Sequence, residues 1–147
     1  MTDYLPYALA AIAAVGLLIA FLNYRIGTAK LKLDRAPAIT KIYRATLTFM
    51  ERVQAAGQTE LAHLGEFNDA TVSAAHLLTP DTVAFLTELK TRALKIDLAK
   101  KMMGTRGQTM SDDERARYAD SWEHNLQWVI TEEKALAARF APYLDQR

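Results

Sequence analysis

The chain is 147 residues long, 50% apolar and 24% charged, with a formal net charge of +1 and no cysteine. That length allows one domain, or one small domain with an appendage. The composition excludes a collagen-like, disulfide-stapled or wholly disordered chain, and the lack of cysteine excludes Cys-ligated zinc, iron–sulfur clusters and thiol catalysis.

The near-zero net charge hides an uneven distribution. From Tyr4 to Tyr24 no residue is charged, and all but Pro6, Gly16 and Asn23 are apolar. As a helix this stretch would cover roughly 31 Å, close to the hydrocarbon thickness of a bilayer. Tyr4, Tyr7 and Tyr24 stand near its ends, where amphipathic rings favour a membrane interface. Residues 1–24 therefore read as a transmembrane anchor. A basic n-region and a closely following small-x-small site are both missing, so the segment reads as uncleaved rather than as a signal peptide.

Residues 25–36 read as a basic juxtamembrane linker. Arg25, Lys30, Lys32 and Arg35 fall within it, Lys41 and Arg44 follow, and Asp34 is the single acid up to that point after the span. With no Lys or Arg before the span, the positive-inside rule puts the N-terminus outside and the rest in the cytoplasm. Arg25, Lys30, Lys32 and Arg35 would then face anionic lipid. No aromatic-interleaved groove accompanies them, so nucleic acid is not an expected partner.

Residues 37–147 read as a cytoplasmic helical domain. Pro37 is placed as the first residue of a helix, with Ile39, Ile42, Tyr43, Leu47, Met50 and Val53 drawing one stripe and Gly57 as the stop. Thr59 is read as the cap of a second, less regular segment with Gly65 near its middle. Thr79-Pro80-Asp81 starts a third helix: an N-cap, a proline at the first helical position and an acid in the first turn. Val83, Phe85, Leu86, Leu89, Ala93, Ile96 and Ala99 form its apolar face, and the pattern reaches Met103 before Gly104. Ser111-Asp112-Asp113-Glu114 is a capping box for the last helix, which carries Tyr118, Trp122, Leu126, Val129, Leu136 and Phe140 and is expected to end near Arg139, before Pro142. No period-2 run of β-branched residues occurs. The fold class is all-α, an N-terminal transmembrane helix followed by a small antiparallel bundle of about four helices.

Ile42-Tyr43, Phe49, Gly57, Phe67, Ala70-Thr71, Ala74, Leu77-Leu78, Phe85-Leu86, Leu89 and Ala93, with Trp122, Trp128, Phe140 and Pro142-Tyr143-Leu144, resemble a family of bacterial single-pass, membrane-anchored small helical proteins of unassigned function. The resemblance covers about two-thirds of the chain and implies the architecture above, set in a bacterial inner membrane. It implies no catalytic residues. The chain departs from the family at Leu78-Thr79-Pro80, where an aromatic and a glycine commonly follow the leucine.

Few constellations point to chemistry. Glu60 and His63 stand three apart, the spacing of carboxylate-bridged di-iron bundles, and Glu66 extends the row, but a second Glu-x-x-His motif is missing from the sequence. His76 reads as a histidine packed at a helix junction with one nitrogen on a free carbonyl. Asp120 and His124 read as a surface pair. Gly104-Thr105-Arg106-Gly107 is too short for a phosphate loop and is not followed by Lys-Ser/Thr. Trp122 and Trp128 are six apart and point to different faces of their helix, while Phe140, Pro142 and Tyr143 are expected to dock on the bundle.

The leading expectation is a non-enzymatic, membrane-anchored interaction or scaffold module at the cytoplasmic face, with Trp128 and Tyr143 as candidate partner surface. The alternative is a self-assembling membrane component, for instance in stress or defence. A third is a metal-dependent hydrolase using Glu60, His63 and Glu66. The expected partners are the lipid bilayer and either a protein or further copies of the chain. No cofactor is expected.

Overall fold

The computed structural model describes residues 5–105 and 109–144, with side chains described at 20–23, 35–104 and 109–144. Among these residues the chain forms α1 (Leu5–Ala56), α2 (Leu61–Thr71), α3 (Ala74–Leu77), α4 (Pro80–Thr105) and α5 (Asp112–Leu144), with no strand. Two compact units divide it, residues 1–37 and 38–147. In the first, Phe21 and Leu22 are exposed. The second is the helical bundle.

Two expectations are corrected here: the N-terminal transmembrane helix, and the single-pass inner-membrane location that follows from it. Among the described residues no helix is long and apolar enough to cross a membrane. The described part of α1 from position 35 onward carries Arg35, Lys41, Arg44, Glu51 and Arg52, charges that a hydrocarbon interior rejects. Helices α4 and α5 are more densely charged still. Most side chains of the expected span, and those of Arg25, Lys30 and Lys32 of the expected lipid-facing set, are outside the described side chains, whereas Arg35 is exposed.

In the bundle, α1 ends where the sequence places its stop. Gly57 has φ 60° and its N–H donates to Val53 O at 2.9 Å, the left-handed cap that only glycine adopts without strain. The start differs from expectation, because Pro37 lies inside α1. A proline removes one backbone hydrogen bond from a helix interior, and α1 continues past that loss into a stretch where Ile39, Ile42, Thr46, Phe49, Met50 and Val53 are all buried.

Thr59 does not cap α2. Its hydroxyl donates instead to Ala93 O of α4 at 2.9 Å, and Glu60 is the N-cap, without a side-chain bond. Helix α2 folds back on α1 through a stacked Phe49–Phe67 pair with centroids 4.5 Å apart. It runs unbroken through Gly65, and the short α3 follows after Val72 and Ser73.

The other two starts agree with the sequence. Helix α4 begins at Pro80, with Val83 N–H donating to Thr79 O at 3.0 Å. The capping box of α5 is reciprocal: Glu114 N–H donates to Ser111 Oγ at 3.3 Å, and Ser111 N–H donates to Glu114 Oε2 at 3.2 Å. Its end differs, since Pro142 lies within a helix that continues to Leu144. In the last turn a proline breaks a single ladder bond, and here the turn is held by tertiary contacts. Phe140 is fully buried and tilts against Tyr43, with centroids 5.5 Å apart, and the Tyr143 hydroxyl meets Thr79 Oγ1 at 2.7 Å.

These contacts fix the topology. Moving up α1 from Tyr43 to Gln54 to Gly57 means moving down α5 from Phe140 to Glu133 to Trp122, so the two helices are antiparallel. Helix α4 pairs with α5 in the same sense, from Thr79 at Tyr143 through Arg92 at Asn125 to Lys100 over Trp122. The core between them is Ile42, Met50, Leu89, Ile96, Val129, Leu136 and Phe140, each almost wholly shielded from solvent.

Trp122 seals the α1 turn. Its indole N–H donates to Gly57 O at 2.7 Å, and a Cβ built on Gly57 would lie 3.2 Å from Trp122 Cζ2. We expect Gly57→Ala to destabilise the bundle by about 1–2 kcal/mol for the left-handed backbone alone, with the indole contact adding to it. Gly65→Ala, where nothing lies within 4 Å, should instead stabilise by up to about 1 kcal/mol. Urea unfolding followed by circular dichroism checks both, and equal effects of the two would contradict this account of Gly57.

Candidate interaction surface

Helix α4 has two faces of different character. Phe85, Leu86, Leu89, Ala93, Ile96 and Ala99 point into the core. Pro80, Ala84, Thr87, Thr91, Leu94 and Leu98 recur at spacings of four, three, four, three and four, and every one is exposed. That alternation of three and four is the seam spacing of a coiled coil. Leu94 and Leu98 are 44% and 56% exposed, which is high for leucines in mid-helix, and no other element among the described residues covers them.

The N-terminal half of this stripe is the floor of an open groove of about 710 Å³, walled by Ala75 and Leu78 beside α3 and rimmed by Glu88. The floor is made of small side chains, Ala84, Thr87 and Thr91. Thr87 Oγ1 donates to Val83 O at 3.1 Å and Thr91 Oγ1 to Thr87 O at 3.0 Å. Both hydroxyls are satisfied by their own helix, so covering the groove would strand neither of them.

On the α5 side of α4 the surface is polar and already paired. Arg92 donates from Nε and Nη2 to Glu88 Oε1 at 2.9 and 2.7 Å, from Nη1 to Asn125 Oδ1 at 3.3 Å, and its Cζ lies 4.7 Å from the Trp128 ring centroid. Arg139 donates to Glu132 at 2.8 Å and stacks its guanidinium 4.3 Å from the Phe85 centroid. Its buried Nε has no hydrogen-bond partner among the described residues. A small hollow of about 250 Å³ lies among Phe85, Glu88, Trp128, Glu132 and Arg139.

The residues singled out from the sequence are scattered. Trp128 is partly buried against Phe85 and Arg92. Tyr143 also packs on the core, and its hydroxyl accepts from Thr79 N–H at 2.9 Å and meets Thr79 Oγ1 and Thr82 Oγ1 at 2.7 and 3.2 Å. Burial acts to raise the Tyr143 pKa, but the bonds from Thr79 and Thr82 outweigh it and hold the phenol below its ordinary value. His76 is exposed rather than packed, because α3 is only four residues long and turns that position outward. Asp120 and His124 are both exposed.

Glu60 and His63 approach to 3.8 Å, but Glu66 is taken by Arg52, whose Nη1 donates to Glu66 Oε2 at 2.6 Å. Among the described residues no group of three His, Asp or Glu side chains is placed to hold a metal ion. The hydrogen bond from Arg52 and its charge hold the Glu66 carboxyl below the ordinary 4.5. The chain matches no family model, and no curated protein or solved structure shows significant similarity to it.

The stripe on α4 is missing from the sequence reading because alanine and threonine leave no mark on an apolar-periodicity count. Leu94 and Leu98 are the signal that could have found it. They lie a turn apart and off the face drawn by Leu89, Ala93 and Ile96.

Two predictions follow from these contacts. A depressed carboxyl pKa stabilises the folded state above the unfolded value and loses that contribution as pH falls through the folded one. The stability gap between the unmodified chain and Glu66→Gln should therefore be constant from neutrality to about pH 5 and close on further acidification, as read by urea unfolding at each pH. A gap that persisted at about pH 3 would contradict the Arg52 pairing. Tyr143→Phe leaves the Thr79 N–H without its acceptor and should cost about 1–2 kcal/mol in the same assay, with helix content retained.

Proposed function

We propose that the chain is a non-enzymatic protein-interaction module, and that the groove on α4 receives an amphipathic helix from its partner. The observation that carries this reading is the exposed stripe of Ala84, Thr87, Thr91, Leu94 and Leu98, set at the spacing by which one helix lies along another. Helix-in-groove recognition needs a concave apolar track with room for anchors at intervals of three and four residues, and the small floor beside α3 has that form. The prepaired Thr87 and Thr91 hydroxyls remove the usual cost of burying polar groups beneath a partner. Trp128 and Tyr143 support the surface from behind: they hold α5 against α4, through Phe85 and Arg92 and through Thr79, and so keep α4 straight beneath the groove.

A photoreactive amino acid placed at Thr87 in cells should crosslink to a peptide whose apolar residues recur at three and four. Thr91→Arg should suppress that product, and the same probe at Asp120, exposed on α5, should not yield it. Identical products from both probe positions, or products indifferent to Thr91→Arg, would overturn the reading.

A further inference from the structure

We propose that the helix received by α4 is α4 of a second copy, laid antiparallel about a two-fold axis passing between Arg92 and Ala93. The inference rests on the docking reading above and names its occupant.

The first support is the distribution of side-chain size along the stripe. Its N-terminal half, Pro80, Ala84, Thr87 and Thr91, is small, and its C-terminal half, Leu94 and Leu98, is large. In an antiparallel pair the two halves face one another, so that Leu94 of each copy covers Thr91 of the other and Leu98 covers Thr87, filling the groove beside α3. In a parallel pair small residues would face small and large would face large. That arrangement leaves voids at one end and holds the helices apart at the other, which close packing disfavours.

The second support is charge, and it is independent of size. Glu88 and Lys95 flank the stripe on one side, seven residues apart, and Lys90 and Asp97 flank it on the other, also seven apart. In the antiparallel arrangement Glu88 faces Lys95 of the other copy and Lys90 faces Asp97, and the two-fold axis repeats each pair. In the parallel arrangement Lys90 would face Lys95, a like-charge contact at the positions that set partner choice in paired helices. The two acids keep capacity for these contacts. Arg92 engages Glu88 at Oε1 and Lys101 engages Asp97 at Oδ2, which among the described residues leaves the second carboxylate oxygen of each for a cross-copy ammonium.

The chain contains no cysteine, so introduced thiols report the geometry directly. Full-length Thr87→Cys and Leu98→Cys, mixed and oxidised, should form a covalent heterodimer through positions that face each other. Either variant alone should not, because in the antiparallel pair the two copies of position 87, like those of position 98, lie about 16 Å apart along the axis, beyond disulfide reach. Lys95→Glu should reduce the mixed product roughly tenfold by setting like charges opposite Glu88 twice over, and Glu88→Lys combined with Lys95→Glu should restore it. Circular dichroism confirms that each variant keeps its helix content. Crosslinking of Thr87→Cys alone without a mixed product would establish a parallel pair and overturn the proposal, as would a mixed product insensitive to Lys95→Glu. Absence of any mixed product from the folded variants would also overturn the second copy as occupant. The docking reading would then stand or fall separately, on whether the Thr87 photoprobe captures a helix of another chain.

Discussion

The antiparallel seating of α5 on α4 is the constraint on which the rest of the bundle depends. The contacts between these two helices run from one end of α4 to the other. At one end Tyr143 meets the start of α4, in the middle Arg92 reaches Asn125 and Trp128, and at the other end Lys100 lies over Trp122. Trp122 in turn holds the Gly57 carbonyl, so the same helix that aligns α4 also fixes where α1 must stop. Apolar burial supplies the driving force for this pairing, and the arginine stacks and the tyrosine latch set its register.

That arrangement also accounts for the two characters of α4. One face is consumed by the core, and a neighbouring flank by Arg92, Glu88 and Asn125. What is left over is a narrow apolar stripe with charged margins, on a helix already stiffened by its packing. A rigid helix presenting such a stripe loses little conformational entropy when a partner covers it. Threonines whose hydroxyls are satisfied by their own helix lower the desolvation cost at the same place.

Much of the fold was legible because its boundaries are written in local chemistry. Gly57, Thr79-Pro80 and the Ser111–Glu114 box act within a single turn, and all three stand where the pattern puts them. The misreadings come from residues whose role tertiary context decides. Pro37 and Pro142 signal helix ends locally, yet each lies inside a helix next to buried residues. Thr59 has the right chemistry for a cap, and its hydroxyl goes to Ala93 instead. The apolar run at the start of the chain dominates the hydropathy pattern, but the described helices include none fit to cross a membrane. The site was less legible than the fold. Aromatic residues drew attention to Trp128 and Tyr143, which are half-buried on the bundle, whereas the open stripe is built partly from alanine and threonine, whose side chains carry no signal until the neighbours are known.

The tyrosine latch has a consequence for how the molecule breathes. Thr79 and Tyr143 are 64 positions apart, yet the first turn of α4 and the last described turn of α5 share one hydroxyl. Helix ends ordinarily fray independently, each at little free-energy cost. Here the backbone N–H of Thr79 regains water only when the phenol leaves, so the two ends open as a single cooperative event. The wall of the groove at Leu78 adjoins that clamp directly, and its steadiness is therefore set by a residue at the far end of another helix.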